Sequence, residues 1–226
     1  MKICVPIVAG NNREALRKMI RASTLADMVE LRLDLMESFS IPDLVRASSR
    51  PVIVTYRSEG EGGRGSAGVA TRIVYLQEAV EAGADFVDLE YRLPRASRRK
   101  ILGNRGRSKI ILSAHFVNGT PSFSVLKEKL NNMASEGAEV VKMVTLAKTQ
   151  LDNLQTLALI PEARKRGVEL ITFCMGPLGR LSRIASVLLG GYLTFAALEP
   201  REASAAGQIP IREMKKMLKG LLTVSE

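Results

Sequence analysis

The chain has no tryptophan, one histidine, two cysteines and only 4% aromatic residues among its 226 positions. With so few rings, its interior has to be built from Val, Ile, Leu, Ala and Met, a mixture that suits layered β/α structure. Cys4 and Cys174 lie inside apolar runs, not in a spaced framework. That excludes a disulfide-stapled fold and fits buried free thiols in a reducing compartment. No metal-ligand spacing accompanies them. No stretch approaches the roughly 18 uninterrupted apolar residues of a membrane span, and the apolar run in MKICVPIVAG is too short for a signal peptide. A soluble, cytoplasmic protein with no membrane partner is therefore expected.

What is present is 46% hydrophobic residues and an excess of 33 basic over 23 acidic side chains, a net charge of +10 that favours an anionic partner. The length exceeds that of an ordinary domain, yet α/β barrels commonly run this long as one unit. Eight short apolar runs recur, at 3–8, 28–34, 52–56, 86–90, 110–115, 139–144, 169–174 and 192–197. Helix-forming segments separate and follow them, at 13–23, 41–47, 71–82, 94–102, 122–135, 151–166, 181–189 and 211–222. Eight strand–helix alternations predict a single-domain (β/α)8 barrel over 1–226, with an open doubly wound sheet as the alternative.

A barrel gathers its functional residues at the C-terminal ends of the strands and in the loops after them. The run 137–146, GAEVVKMVTL, carries Lys142 among β-branched neighbours. Such a lysine either snorkels to solvent from a strand end or is a desolvated amine able to attack a carbonyl. Strict alternation in MVELRLD puts Glu30, Arg32 and Asp34 on one face. Arg57 ends the third run, Asp88 and Glu90 share a face of the fourth, and His115 ends the fifth. Three further segments belong to the same face of a barrel. The glycine-rich loop 58–68 contains Glu61, the turn 175–183 contains Met175, Arg180 and Arg183 at the start of a helix, and 200–210 contains Ser204 and Gln208. Cations are disfavoured at a helix start, so an anionic ligand would resolve the conflict there. The basic tract 92–109 has eight Lys or Arg and no acid. It reads either as a solvated outer face or as a nucleic-acid surface, and the lack of interleaved aromatics favours the former.

The constellation resembles the type I 3-dehydroquinate dehydratase family across nearly the whole chain. Glu30-Leu-Arg32-Leu-Asp34 is similar to that family's E-x-R-x-D strand, and Arg57-Ser58 followed by Glu61-Gly62-Gly63 to its R-S-x-x-E-G-G segment. His115 in SAHF, Lys142 in VVKMV, Met175 through Arg183 and ASAAGQ at 203–208 match four more elements. Departures are Pro6 and Ala206, where some members have serine and proline, and Phe173, where some have methionine.

The resemblance implies Lys142 as the Schiff-base amine, kept neutral by Arg32, Arg57 and Arg183. His115 is then the general acid/base, with Glu61 orienting it and Asp88 and Glu90 as weaker candidates for that role. Arg183 would pair with the substrate carboxylate, while Glu30, Arg32, Arg57, Met175, Ser204 and Gln208 contact the rest of 3-dehydroquinate. No metal or organic cofactor, no nucleic-acid partner and a homodimer are implied. Another Schiff-base barrel enzyme, of the class I aldolase kind, is the alternative.

Overall fold

Strands and helices alternate throughout the structure, a computed structural model that describes residues 1–222. β1 (Ile3–Ile7) leads to α1 (Asn12–Ser23), β2 (Met28–Arg32) to α2 (Ile41–Ala47), β3 (Val52–Thr55) to α3 (Val69–Glu81) and β4 (Phe86–Glu90) to α4 (Arg95–Gly103). β5 (Lys109–Phe116), α5 (Phe123–Ala134), β6 (Val140–Leu146), α6 (Leu151–Leu157) and α7 (Leu159–Lys165) follow. β7 (Glu169–Met175), α8 (Arg180–Leu188), β8 (Thr194–Phe195) and α9 (Ile211–Leu222) complete the order. Every ladder is parallel and joins consecutive strands, and β8 returns to β1. The result is a (β/α)8 barrel, nearly closed, and not an open sheet.

Period-two alternation divides the strands into two hydrophobic sets. Val5, Leu31, Val54, Leu89, Leu112 and Met143 face outward and pack against the helices. Cys4, Met28, Ile53, Phe86, Ile111 and Val140 face inward and fill the lower barrel. Going up β2 to β6, the next inward positions turn polar, whereas β1 and β7 continue with Pro6 and Phe173. Glu30, Thr55, Asp88, Ser113 and Lys142 are all buried there. The apolar lower half anchors the barrel, and the polar upper half is where chemistry can occur.

Three expected boundaries differ. The second strand ends at Arg32, because Leu33–Leu35 forms one turn of 3-10 helix and takes Asp34 out of the strand's alternation. The helix expected over 151–166 is two helices that meet at Ala158. Pro161 has no N–H to give the Leu157 carbonyl and its ring crowds that group, so the helix breaks just before it. The eighth strand, expected over 192–197, pairs with β1 only at Thr194–Phe195. Beyond it Ala197 exchanges backbone hydrogen bonds with Ile209 and Ile211, which draws the chain away to hold the 200–210 segment. A single bond from Tyr192 N–H to the Leu170 carbonyl, 2.8 Å, links this end to β7.

The basic tract is not uniformly solvated either: Arg98 is buried and paired with Glu136, and Arg105 pairs with Glu139 at 3.1 Å. Among the described residues no helix is long and apolar enough to cross a membrane.

Candidate active site

Lys142, His115, Glu61, Glu30, Arg32, Arg57, Met175, Arg183, Ser204 and Gln208 all line one cavity at the C-terminal end of the barrel. Its volume is about 60 Å3, room for a few waters. The strands place the inward residues, and loops supply the remainder.

Lys142 sits in the middle of β6 and is 5% exposed, so it does not snorkel. Its Nζ lies 3.0 Å from Asp88 Oδ2, 3.6 Å from Glu30 Oε1 and 4.5 Å above the Phe195 ring. The amine's polar contacts are therefore two carboxylates. Arg57, expected to help keep Lys142 neutral through its positive potential, is itself paired with Asp88, at 2.7 Å. Thr55 donates to Glu30 at 2.8 Å and Ser113 to Asp88 at 2.6 Å, fixing both carboxylates. Although burial opposes it, Arg57 and Lys142 hold the Asp88 carboxyl well below the usual range.

Arg57 is the hub of the upper barrel. One guanidinium nitrogen, Nη1, reaches Glu61 at 3.1 Å, Glu90 at 3.2 Å and Ser113 at 2.9 Å. Burial works against its charge, but Asp88, Glu61 and Glu90 together push its pKa up. Glu90 also accepts from the Ser58 N–H and hydroxyl, each at 2.8 Å, and pairs with Arg72 of α3. Asp34 grips Arg32 through two bonds of 2.8 Å and accepts from the Arg57 and Arg64 N–H groups. It shapes the loop and does not line the cavity.

Glu61 ends a 3-10 turn, Glu59–Glu61, closed by Gly62 with its backbone in the left-handed region at φ 80°. Glu61 Oε2 lies 2.9 Å from His115 Nδ1, while its Oε1 is buried with no partner. Asp88 and Glu90, the weaker candidates for this contact, are engaged with Lys142 and Ser58. Burial, reinforced by the nearby Glu90 and Asp88 charges and opposed by Arg57, pushes Glu61 up to about 7. Burial beside Arg57 and Lys142 holds the His115 pKa well below its ordinary value.

Arg183 and Arg180 part company although they share a helix turn. Arg180 is exposed, 3.9 Å from Glu213. Arg183 is 1% exposed, stacks over the Phe173 ring at 4.5 Å and donates to the Ala206 carbonyl at 3.2 Å. Its Nε has no partner, it pairs with no acid among the described residues, and burial lowers its pKa to about 10. A buried cation without a counter-ion in a cavity is suited to an anionic ligand. Ser204 and Gln208 bond to each other, at 2.8 and 3.1 Å, closing the 200–210 flap over this side.

Thr55 and Ser113 were not singled out from the sequence. The signal was available, since each lies two positions before a recognised inward residue, Arg57 and His115. Arg72, which arrives from a helix, leaves no such trace. Among the described residues no group of three His, Cys, Asp or Glu could hold a metal ion.

A family model described as Type I 3-dehydroquinase matches residues 3–223. A 3-dehydroquinate dehydratase of Desulfotalea psychrophila is 36% identical over 217 residues, covering 95% of each chain. One from Thermococcus gammatolerans is 38% identical over 212 residues, 94% of this chain and 95% of its own. The crystal structure of 3-dehydroquinate dehydratase from Geobacillus kaustophilus superposes with a TM-score of 0.88 at 29% identity, over 100% of this chain and 92% of that one.

Proposed function

Because this chain belongs to the type I 3-dehydroquinase family, we propose that it dehydrates 3-dehydroquinate to 3-dehydroshikimate through an imine on Lys142, with His115 moving the protons. One observation carries this reading: a buried amine, a carboxylate–imidazole pair and a guanidinium without a counter-ion line a single cavity.

The cavity is partly open but holds only about 60 Å3 of water-accessible space, so the 200–210 flap shifts as the substrate enters. Arg183 then takes the substrate carboxylate, replacing a missing counter-ion at its bare Nε. Lys142 Nζ adds to the ketone, water leaves, and a protonated imine forms. That cation lies where Asp88 and Glu30 already face the amine, so its stabilisation needs no rearrangement of the barrel. His115 removes the proton on the carbon next to the imine, and the C–H electrons flow into it to give an enamine. The enamine expels the β-hydroxyl, which takes the proton from His115 and departs as water. Hydrolysis of the remaining imine frees the product and the lysine. Glu61 fixes the imidazole through Nδ1, leaving Nε2 for the substrate.

From family membership alone we also infer a role in the shikimate pathway, a cytoplasmic location and a homodimer with no nucleic-acid partner. The activity is tested by adding 3-dehydroquinate to the purified protein and following the conjugated enone of the product in the ultraviolet. Folded protein that gives no enone would refute the assignment.

A further inference from the structure

A cleft of about 750 Å3 opens at the opposite, N-terminal end of the barrel, far from Lys142. Its floor is the lower end of the inward column: Met28 begins β2, Phe86 begins β4, and Tyr192 precedes β8. The two rings are 6.1 Å apart and inclined at 58°. Lys2 Nζ stands 4.0 Å above the Tyr192 ring, Lys109 Nζ lies 5.9 Å from the Phe86 ring, and Arg107 borders the cleft beside Gly83. None of these three cations pairs with an acid among the described residues. Two acids also stand in the wall, fewer than the cations, and each has one oxygen taken by a backbone N–H. Asp27 accepts the Ile3 N–H at 2.8 Å and Asp85 the Val52 N–H at 2.9 Å, which tie adjacent strands together.

A lone surface lysine is ordinarily a solvated one. Here three cations surround a concave site whose floor is aromatic and rigid, and the group missing from the arrangement is an anion. We propose that this cleft binds a small organic dianion built on a flat ring, such as an aromatic dicarboxylate or an aryl phosphate. The ring rests beside the half-buried Tyr192, with Phe86 and Met28 buried beneath it, and the negative groups reach Lys2, Lys109 and Arg107. Because Phe86 and Tyr192 are packed with the barrel interior, the floor is formed in advance and little ordering opposes binding. The site is independent of the catalytic reading, since it shares no residue with the cavity that holds Lys142.

Isothermal titration of the full chain with phthalate and with phenyl phosphate, at low salt, tests the proposal. One site per chain for either probe is expected, unchanged in Arg183→Leu and weakened about tenfold or more in Lys2→Gln/Lys109→Gln. Arg107→Gln, on a third exposed side chain, should weaken it as well. No binding of either probe would overturn the proposal. So would binding that survives the lysine changes and is lost in Arg183→Leu, because the probe would then occupy the catalytic cavity.

Discussion

Glu61 Oε2 and His115 Nδ1 are 2.9 Å apart, a contact that joins the loop after β3 to the end of β5 across 54 positions of chain. The environment divides their proton affinities, raising Glu61 to about 7 and depressing His115. Where the acid holds the proton, its O–H donates to Nδ1 and Nε2 keeps the ring hydrogen. Once the carboxylate forms, Nδ1–H donates to it and Nε2 becomes a free base. Ionisation of Glu61 therefore selects the useful tautomer.

The rate should follow that ionisation. kcat/KM is expected to rise with pH along a limb centred near 7, and Glu61→Gln, which cannot ionise, should flatten the limb as well as lower the rate. A profile from about pH 5 to 9 for both proteins checks this. The same limb in the variant would assign it to another group.

Stability should respond in the opposite sense. The folded pKa of Glu61, about 7, is above its ordinary value of 4.5, so its contribution is present below about 4.5 and lost as pH rises through 7. Glu61→Gln should gain on the parent between about pH 5 and 8, by up to about 3 kcal/mol. Urea midpoints at the two pH values measure it. A difference independent of pH contradicts the account.

Arg183→Leu should raise KM by about 10²-fold through loss of the carboxylate partner, with a smaller effect on kcat. The melting temperature should not fall, because a buried cation with no acid beside it is replaced by an apolar group. An unchanged KM, or a protein that unfolds, would remove Arg183 from substrate binding.

Gly207→Ala tests the flap. Gly207 has φ +81°, and a Cβ there would lie 2.1 Å from the Gly176 carbonyl oxygen on the opposite loop. The flap then cannot seat, and a rise in KM of about tenfold is expected with little change in melting temperature, since the cost of a strained backbone falls on closure. Normal KM would mean that closure is not needed for binding.

Much of the barrel was legible because its signals are local. Alternation within MVELRLD or VVKMV sorts side chains to the two faces of a strand, and strand ends name the residues nearest the site. The pairing across the barrel was less legible. Whether Asp88 meets Lys142 or His115 depends on the stagger between strands, which no single strand encodes, and the choice of Arg183 over Arg180 depends on the rotation of α8. Asp34 leaves the face that alternation assigns it because a 3-10 turn begins one residue before it. The break before Pro161 was visible in the sequence, but continuous amphipathicity across 151–166 masked it.

The most direct test is borohydride reduction in the presence of 3-dehydroquinate, followed by intact and peptide mass spectrometry. A covalent adduct on Lys142 is expected, absent from a folded Lys142→Ala variant that also fails to turn over. Asp88 keeps Arg57 and Ser113 when the lysine is removed, so that variant should remain folded. Product formed without any trapped adduct, or an adduct on another lysine, would contradict the imine on Lys142.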